Sequence, residues 1–328
     1  MDRRSLIAAL AMSGLPFRAL AAAPDETIPL WPGLPPGSGL AHPPPFVEDR
    51  STSPDTHDRR IRGIVDPTLT VVRPTAPDGS AVLIIPGGGY SYVVFDFEGM
   101  ATARYFAERG VTAFVLTYRL PYEGWKNGPD VPLEDAQRAM RIIRARGPSD
   151  FGIEPARTGV MGFSAGGHLA ASLATKFATK TYAAVDDVDA LDARPSFAAL
   201  IYPVITMLPP FAHEASRVKL LGKATHALRV AYSAERAVTP NTPPTFLAAA
   251  ADDPDVAPDN ALMMFAHLQA AKVPAELHLF EKGGHGFGLG APGSEAAQWP
   301  NLFLAWGTAR GYFRSAPSSS AAVFLRQE

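Results

Sequence analysis

The segment Gly162-Phe163-Ser164-Ala165-Gly166 is where residue types and spacing first point to chemistry. It matches G-x-S-x-G, the pattern of a nucleophile presented on a sharp turn between a strand and a helix. The context fits, since an apolar run over 158–163 leads into it and a small-residue stretch over 167–176 follows. The glycines are needed because such a strained turn leaves no room for a Cβ two residues to either side of the nucleophile. Ser164 is therefore the expected nucleophile, projecting from the end of a sheet. A serine hydroxyl is weakly nucleophilic at neutral pH, so a base must take its proton and a third group must hold that base in the right tautomer.

In this arrangement the chain order is serine, then acid, then histidine, the last two on loops that follow late strands. His285 sits in Glu281-Lys282-Gly283-Gly284-His285-Gly286-Phe287, after the last predicted strand and between glycines that make the loop compact, and is the expected base. The acid should come from Ala251-Asp252-Asp253-Pro254-Asp255-Val256. Asp253 is the choice that strand-to-loop spacing favours, with Asp252 as the alternative. A tetrahedral oxyanion would need preorganised backbone N–H groups. Pro86-Gly87-Gly88-Gly89-Tyr90 leaves a predicted strand and occupies the place of the HGGG-type motif, with Pro86 where that motif has histidine. The N–H groups of Gly88 and Ala165, and also Gly89, are the candidates. His168 belongs to the helix after the turn and is expected to pack or bond locally; His42, His57, His213, His226, His267 and His278 read as surface or packing residues. Asp253, Asp255 and Asp259 resemble a calcium loop only superficially, because the glycine and the closing glutamate of such a loop are missing. No metal and no cofactor is expected.

These residues need a scaffold that brings distant loops to one edge. Short β-branched or apolar runs at 69–73, 81–86, 111–118, 158–163, 197–202, 245–250 and 276–280 alternate with longer amphipathic segments. That is the pattern of a mostly parallel sheet wrapped by helices on both faces, an α/β fold. The segment 132–146 reads as a helix, with Pro132 in its first turn, Leu133, Met140 and Ile143 inward, and Gly147 as its stop. A second helix is expected over 259–272, with Ala261, Met264, Leu268 and Ala271 inward and Pro274 just beyond its end. Proline and glycine crowd the segment 24–54 and disfavour regular elements there, so 24–65 is read as an extended arm on a catalytic domain spanning 66–314. The tail, 315–328, has no periodicity and is expected to be mobile.

The 328 residues are 47% apolar and 19% charged, with a formal net charge of −2, enough to bury a substantial core as one large domain. Dispersed basic residues give no footprint for nucleic acid. With no cysteine, the chain has no disulfides, thiolate metal sites or thiol nucleophile. Arg3-Arg4, an apolar run to Leu20 and the small-residue stretch ending at Ala23 read as a signal peptide over 1–23, loosely of twin-arginine type. The expectation is export to the periplasm or medium. The run is too short and interrupted to span a bilayer, so no stable membrane insertion is expected.

Taken together, Pro86-Gly87-Gly88-Gly89-Tyr90, Leu116-Thr117-Tyr118-Arg119-Leu120, Asp135-Ala136-Gln137-Arg138-Ala139, Gly162 to Ala170 and Gly283-Gly284-His285-Gly286-Phe287 resemble the bacterial acetylxylan-esterase-like α/β-hydrolases, related to the hormone-sensitive-lipase and prolyl-oligopeptidase-type groups. The resemblance covers about 69–310. It implies an α/β-hydrolase fold and a cofactor-free esterase, often secreted, acting on acetylated carbohydrate such as xylan, with Ser164, Asp253 and His285 as its triad. Tyr90 and Tyr92, beside the glycine loop, agree with a sugar substrate. Rival readings are an esterase or lipase for apolar acyl chains, a peptidase, and a binding protein on a hydrolase scaffold. Asp255 stands where the resemblance leads one to expect an apolar residue, and 209–239 matches nothing in it; that segment could be a lid that sets specificity.

Overall fold

The computed structural model describes residues 26–53 and 57–314. The apolar runs form strands in chain order: β1 (Glu26–Pro29), β2 (Phe46–Asp49), β3 (Arg59–Arg62), β4 (Thr68–Val72), β5 (Ala81–Ile85), β6 (Val93–Val94), β7 (Thr112–Thr117), β8 (Thr158–Phe163), β9 (Ala198–Ile201), β10 (Thr245–Ala250) and β11 (Ala275–Phe280). The helices are α1 (Ala101–Ala107), α2 (Val131–Phe151), α3 (Ser164–Lys176), α4 (Glu214–Leu221), α5 (His226–Ala231), α6 (Asp259–Ala270) and α7 (Trp299–Ala309). Eight strands make one sheet in the order β1-β4-β7-β5-β8-β9-β10-β11; β2, β3 and β6 form a small second sheet. Only the pairings of β1 with β4 and of β4 with β7 are antiparallel in the large sheet; β7 through β11 run parallel.

Strands buried on both faces need apolar residues at every position, which is why β5, β7 and β8 are buried throughout. Two apolar layers sandwich the sheet. One packs α2, α3 and α6 through Met140, Leu169 and Met264; the other packs α1 and α7 through Phe106, Trp299 and Phe303. The expected mostly parallel sheet with helices on both faces is therefore the observed architecture. Because β5, β8, β10 and β11 run parallel in one sheet, with only β9 between β8 and β10, the loops leaving their carboxyl ends gather along one edge of the sheet.

Three local expectations need correction. The helix expected over 132–146 continues through Gly147 and Pro148 to Phe151. Gly147 is not among the glycines that take a positive φ, and the stop is Gly152, in the left-handed conformation at φ 65°, where the N–H groups of Gly152 and Ile153 close on the Gly147 carbonyl. The helix expected to run to Lys272 ends at Ala270. The segment 24–54, expected to lack regular elements, carries β1 and β2, and β3 follows in the rest of the arm. At β1 proline content is outweighed by burial: Ile28, Leu30 and Trp31 enter the core, and the Trp31 indole N–H donates to Asp135 at 2.9 Å; the exposed β2 is held by its pairing with β3. The leader, 1–23, and the tail, 315–328, lie outside the described residues.

Candidate active site

Ser164 lies at the junction of β8 and α3 with φ 51°, a backbone conformation that costs energy for any residue with a Cβ. The flanking glycines make it sterically possible. A Cβ on Gly162 would come within 2.2 Å of the Gly166 carbonyl oxygen, and one on Gly166 within 2.2 Å of the Ile85 oxygen. The serine side chain is thereby turned out of the core toward the loops after β10 and β11. There its Oγ is 2.9 Å from His285 Nε2. On the other side of the ring, Nδ1 is 2.7 Å from Asp253 Oδ2. A carboxylate accepts the Nδ1 proton, which leaves Nε2 unprotonated and able to take the proton of the Ser164 hydroxyl.

Both neighbouring aspartates are engaged, in different ways. Asp253 is almost wholly buried, and its second oxygen accepts the N–H groups of Asp255 and Val256 at 2.9 Å each. Asp252 turns away from the imidazole and accepts the N–H groups of Gly283 and Gly284, also at 2.9 Å. The structure thus brings Asp253 to His285 and puts Asp252 to holding the histidine loop in place.

Gly88 and Gly89 line the same cavity as Ser164 and adopt positive φ angles of 121° and 64°. Ala165 occupies the first turn of α3, where backbone N–H groups have no acceptor inside the helix. Among the described residues no partner takes the N–H of Gly88, Gly89 or Ala165. These free donors lie beside a serine at a helix start, an arrangement suited to developing negative charge. Gly87, by contrast, donates to Glu98 Oε2 at 2.6 Å.

Glu98 was not singled out by the sequence. It belongs to a π-helical turn, Phe95–Met100, that runs directly into α1, and its carboxylate joins two loops. Oε2 holds Gly87, while Oε1 accepts the Tyr202 hydroxyl at 2.9 Å. The Tyr202 oxygen in turn accepts the Gly288 N–H at 3.1 Å, and the Tyr202 ring meets the His285 ring edge-on, centroids 5.2 Å apart. Burial raises the Glu98 pKa, opposed by the Gly87 and Tyr202 hydrogen bonds and by the nearby His285. No sequence pattern marks this link; its only trace is an acidic residue soon after a glycine loop.

Two histidines flank the site. His168, expected to pack or bond locally, is packed in the core but bonds to residues far along the chain: Nε2 is 2.7 Å from the Tyr232 carbonyl and Nδ1 2.7 Å from the Tyr90 hydroxyl. A carbonyl can only accept, so Nε2 carries the proton and Nδ1 accepts from Tyr90. Burial lowers its pKa to about 4, and the ring stays neutral near pH 7. His213, expected to be a surface or packing residue, instead lines the cavity over Ser164, with Nδ1 2.8 Å from Ser216 Oγ. Burial and the neighbouring His285 lower its pKa. The sequence offered no signal for this, because His213 comes from the unmatched segment 209–239. Tyr90, expected near a substrate, is only 3% exposed and belongs to the core; Tyr92 does line the cavity, with the Arg60 guanidinium 4.6 Å over its ring. The cavity holds about 520 Å³, and Asp58 and Asp255 add carboxylates to its wall.

The chain is similar to known proteins. An acetylxylan esterase of Xylanibacter ruminicola is 32% identical over 222 residues, covering 66% of this chain and 43% of the relative. An endo-1,4-beta-xylanase B of Butyrivibrio fibrisolvens is 35% identical over 206 residues, covering 62% of this chain and 32% of the relative. The chain thus spans less than half the length of either curated relative. The crystal structure of an acetyl ester-xyloside bifunctional hydrolase from Caldicellulosiruptor lactoaceticus superposes with a TM-score of 0.73 at 32% identity, covering 88% of this chain and 98% of that one. Residues 82–289, which include Ser164, Asp253 and His285, match the family defined by the alpha/beta hydrolase fold, and the chain belongs to that family.

Proposed function

We propose that this protein is a serine esterase that removes short acyl groups, above all O-acetyl groups, from carbohydrates. The single observation that carries the reading is the unbroken relay from Ser164 Oγ through His285 to Asp253, with steps of 2.9 and 2.7 Å, beside free N–H groups. Ser164 attacks the ester carbonyl while His285 Nε2 takes its proton. Asp253 holds the ring and stabilises the imidazolium. The N–H groups of Gly88, Gly89 and Ala165 receive the oxyanion. His285 then returns the proton to the departing alcohol, and a water activated by the same nitrogen releases the acid from Ser164.

The substrate class is supported by the cavity wall and by the relatives. Asp58, Asp255 and His213 offer acceptors, Arg60 offers donors, and Tyr92 offers an aromatic ring. Sugar hydroxyls both donate and accept, and such a mixed wall suits them better than it suits an alkyl chain. An acetylxylan esterase and an acetyl ester-xyloside hydrolase stand among the relatives. Xylan is a polymer met outside the cell, which agrees with the signal peptide read at 1–23, and no helix among the described residues is long and apolar enough to cross a membrane.

Hydrolysis of p-nitrophenyl esters from acetate to decanoate, with acetylated xylan alongside and Ser164→Ala as control, tests the proposal. Steep loss beyond acetate together with acetate release from the polymer is expected. Preference for long chains would replace the carbohydrate reading with a lipase-like one, and activity that survives Ser164→Ala would overturn the mechanism.

A further inference from the structure

Phe97 is an exposed aromatic residue, 48% accessible, on a segment that is otherwise locked down. On one side of it Asp96 is buried, with Oδ2 accepting the Arg59 main-chain N–H at 2.8 Å and its Nε–H at 2.7 Å. On the other side Glu98 is pinned by Gly87 and Tyr202. An aromatic ring held between two anchored neighbours loses little entropy when something stacks on it. The histidine loop has been shaped to admit the ring: Gly288 has φ 54°, and a Cβ there would come within 2.7 Å of Phe97 Cε1. Phe97 also lines two cavities. One is the polar cavity over Ser164; the other, of about 530 Å³, continues past His285 and Gly286 along Phe287, Leu289 and Pro292. The two cavities share Phe97, His285 and Gly286.

The direction of the reaction says what should occupy the second cavity. His285 must hand its proton to the departing oxygen, so the alcohol portion of the ester lies on the His285 side. A chain that continues from this alcohol leads past His285 to Phe97. Pyranose rings with equatorial hydroxyls carry an apolar C–H face, and such a face is desolvated by contact with an aromatic ring.

Resting on the esterase reading above, we propose that Phe97 is the platform of a second sugar subsite, which binds the ring next to the acetylated one in the same chain. The substrate is then an acetylated oligo- or polysaccharide, recognised across at least two residues. It is not a free acetylated monosaccharide.

The test compares acetate release by the full chain from mono-acetylated xylotetraose and from mono-acetylated methyl β-xylopyranoside, a one-ring counterpart with the same leaving group. The ratio of kcat/KM for the long substrate to that for the short one should fall about five- to tenfold in Phe97→Ala, mostly through KM, and be kept in Phe97→Trp. A ratio unchanged in Phe97→Ala, or lost equally in Phe97→Trp, overturns the subsite while leaving the esterase reading standing. A wild-type protein that releases acetate from neither sugar overturns the carbohydrate reading and the subsite together.

Discussion

The frame that carries Ser164, Asp253 and His285 and the segment 209–239, a cover that reaches their cavity through His213 and Ala215, are held in different ways. Ser164, Asp253 and His285 sit on loops leaving β8, β10 and β11, and those strands are bonded edge to edge within the sheet. Each loop is further fixed within the frame: Gly166 packs against the Ile85 carbonyl, the Asp252 carboxylate accepts from Gly283 and Gly284, and the Asp253 carboxylate accepts from Val256. The cover has two short helices, α4 and α5, contributes no strand to the sheet, and is tied down by the Ala234 N–H bond to the Ile205 carbonyl at 3.1 Å and by side chains. Asn260 Nδ2 donates to the Phe211 carbonyl at 2.9 Å, the Ser233 hydroxyl accepts the Met207 N–H at 2.9 Å, and His168 holds the Tyr232 carbonyl. The frame rests on the ladders of the sheet and on carboxylates that bond its loops. A cover outside those ladders, held at a few points, can change without disturbing the sheet, and that is where discrimination between substrates can be adjusted.

The largest effect should come from breaking the frame at its reacting atoms. Ser164→Ala should lower kcat by at least about 10⁴-fold with little change in KM, because it removes the bond-forming atom and leaves the binding surface. Asp253→Asn should cost about 10³- to 10⁴-fold by favouring the wrong imidazole tautomer. Asp252→Asn keeps an oxygen for Gly283 and Gly284 and should cost less than about tenfold. Steady-state kinetics of the three variants checks the assignment, and a larger loss at Asp252 than at Asp253 would reverse the two roles.

His168 joins frame to cover, and its burial makes that joint sensitive to pH. Its folded pKa, near 4, lies below the ordinary histidine value of 6.5, so its contribution to stability is complete above pH 6.5 and is lost as pH falls through 4. At the acid end the loss approaches about 3 kcal/mol. Denaturant unfolding at pH 7 and pH 4 should show His168→Gln losing less stability than wild type over that interval, by up to this amount. Equal losses would place the acid sensitivity elsewhere.

A smaller effect tests how two parts of the frame are kept in register. Tyr202→Phe leaves Glu98 Oε1 and the Gly288 N–H without their shared partner, a penalty of about 1–3 kcal/mol per buried group that folding and the active site divide between them. The expected result is a drop in kcat of roughly tenfold with KM nearly constant, because the glycine loop and the histidine loop move relative to each other and not relative to the cover. A change confined to thermal stability would make the link purely structural.

These regions also differ in how far they can be read from the sequence. Ser164, the glycine loop and His285 stand out because each sits in a short pattern whose glycines have a steric reason, and the strands around them are continuous apolar runs. Asp252 and Asp253 could not be separated firmly, since adjacent carboxylates on one loop differ only in which of them faces Nδ1, a fact of three dimensions. Gly147 reads as a helix stop because a linear pattern does not tell which of Gly147 and Gly152 takes the left-handed conformation. The strands β1 and β2 are hidden by prolines, whose local preference yields to burial of Ile28, Leu30 and Trp31 at β1 and to pairing with β3 at β2. Glu98, Tyr202 and His213 carry no motif at all; each gains its place from partners distant in the chain, and propensity and periodicity do not record such partners.

The smallest effect falls on the cover. His213 reaches the cavity from the turn before α4, its Nδ1 bonded to Ser216 and its Nε2 without a partner among the described residues. With its pKa lowered, the ring is neutral near pH 7 and can offer one polar atom to a sugar hydroxyl without adding charge beside His285. One neutral hydrogen bond contributes about 0.5–1.5 kcal/mol, so His213→Ala should raise KM for an acetylated xylo-oligosaccharide about three- to fivefold and affect kcat less. The same substitution should cost less on p-nitrophenyl acetate, whose leaving group has no hydroxyl beside the ester. Kinetics on both substrates separates the two regions: a loss in KM that depends on the sugar places His213 in the adjustable cover, whereas an equal loss of kcat on both would make it part of the frame.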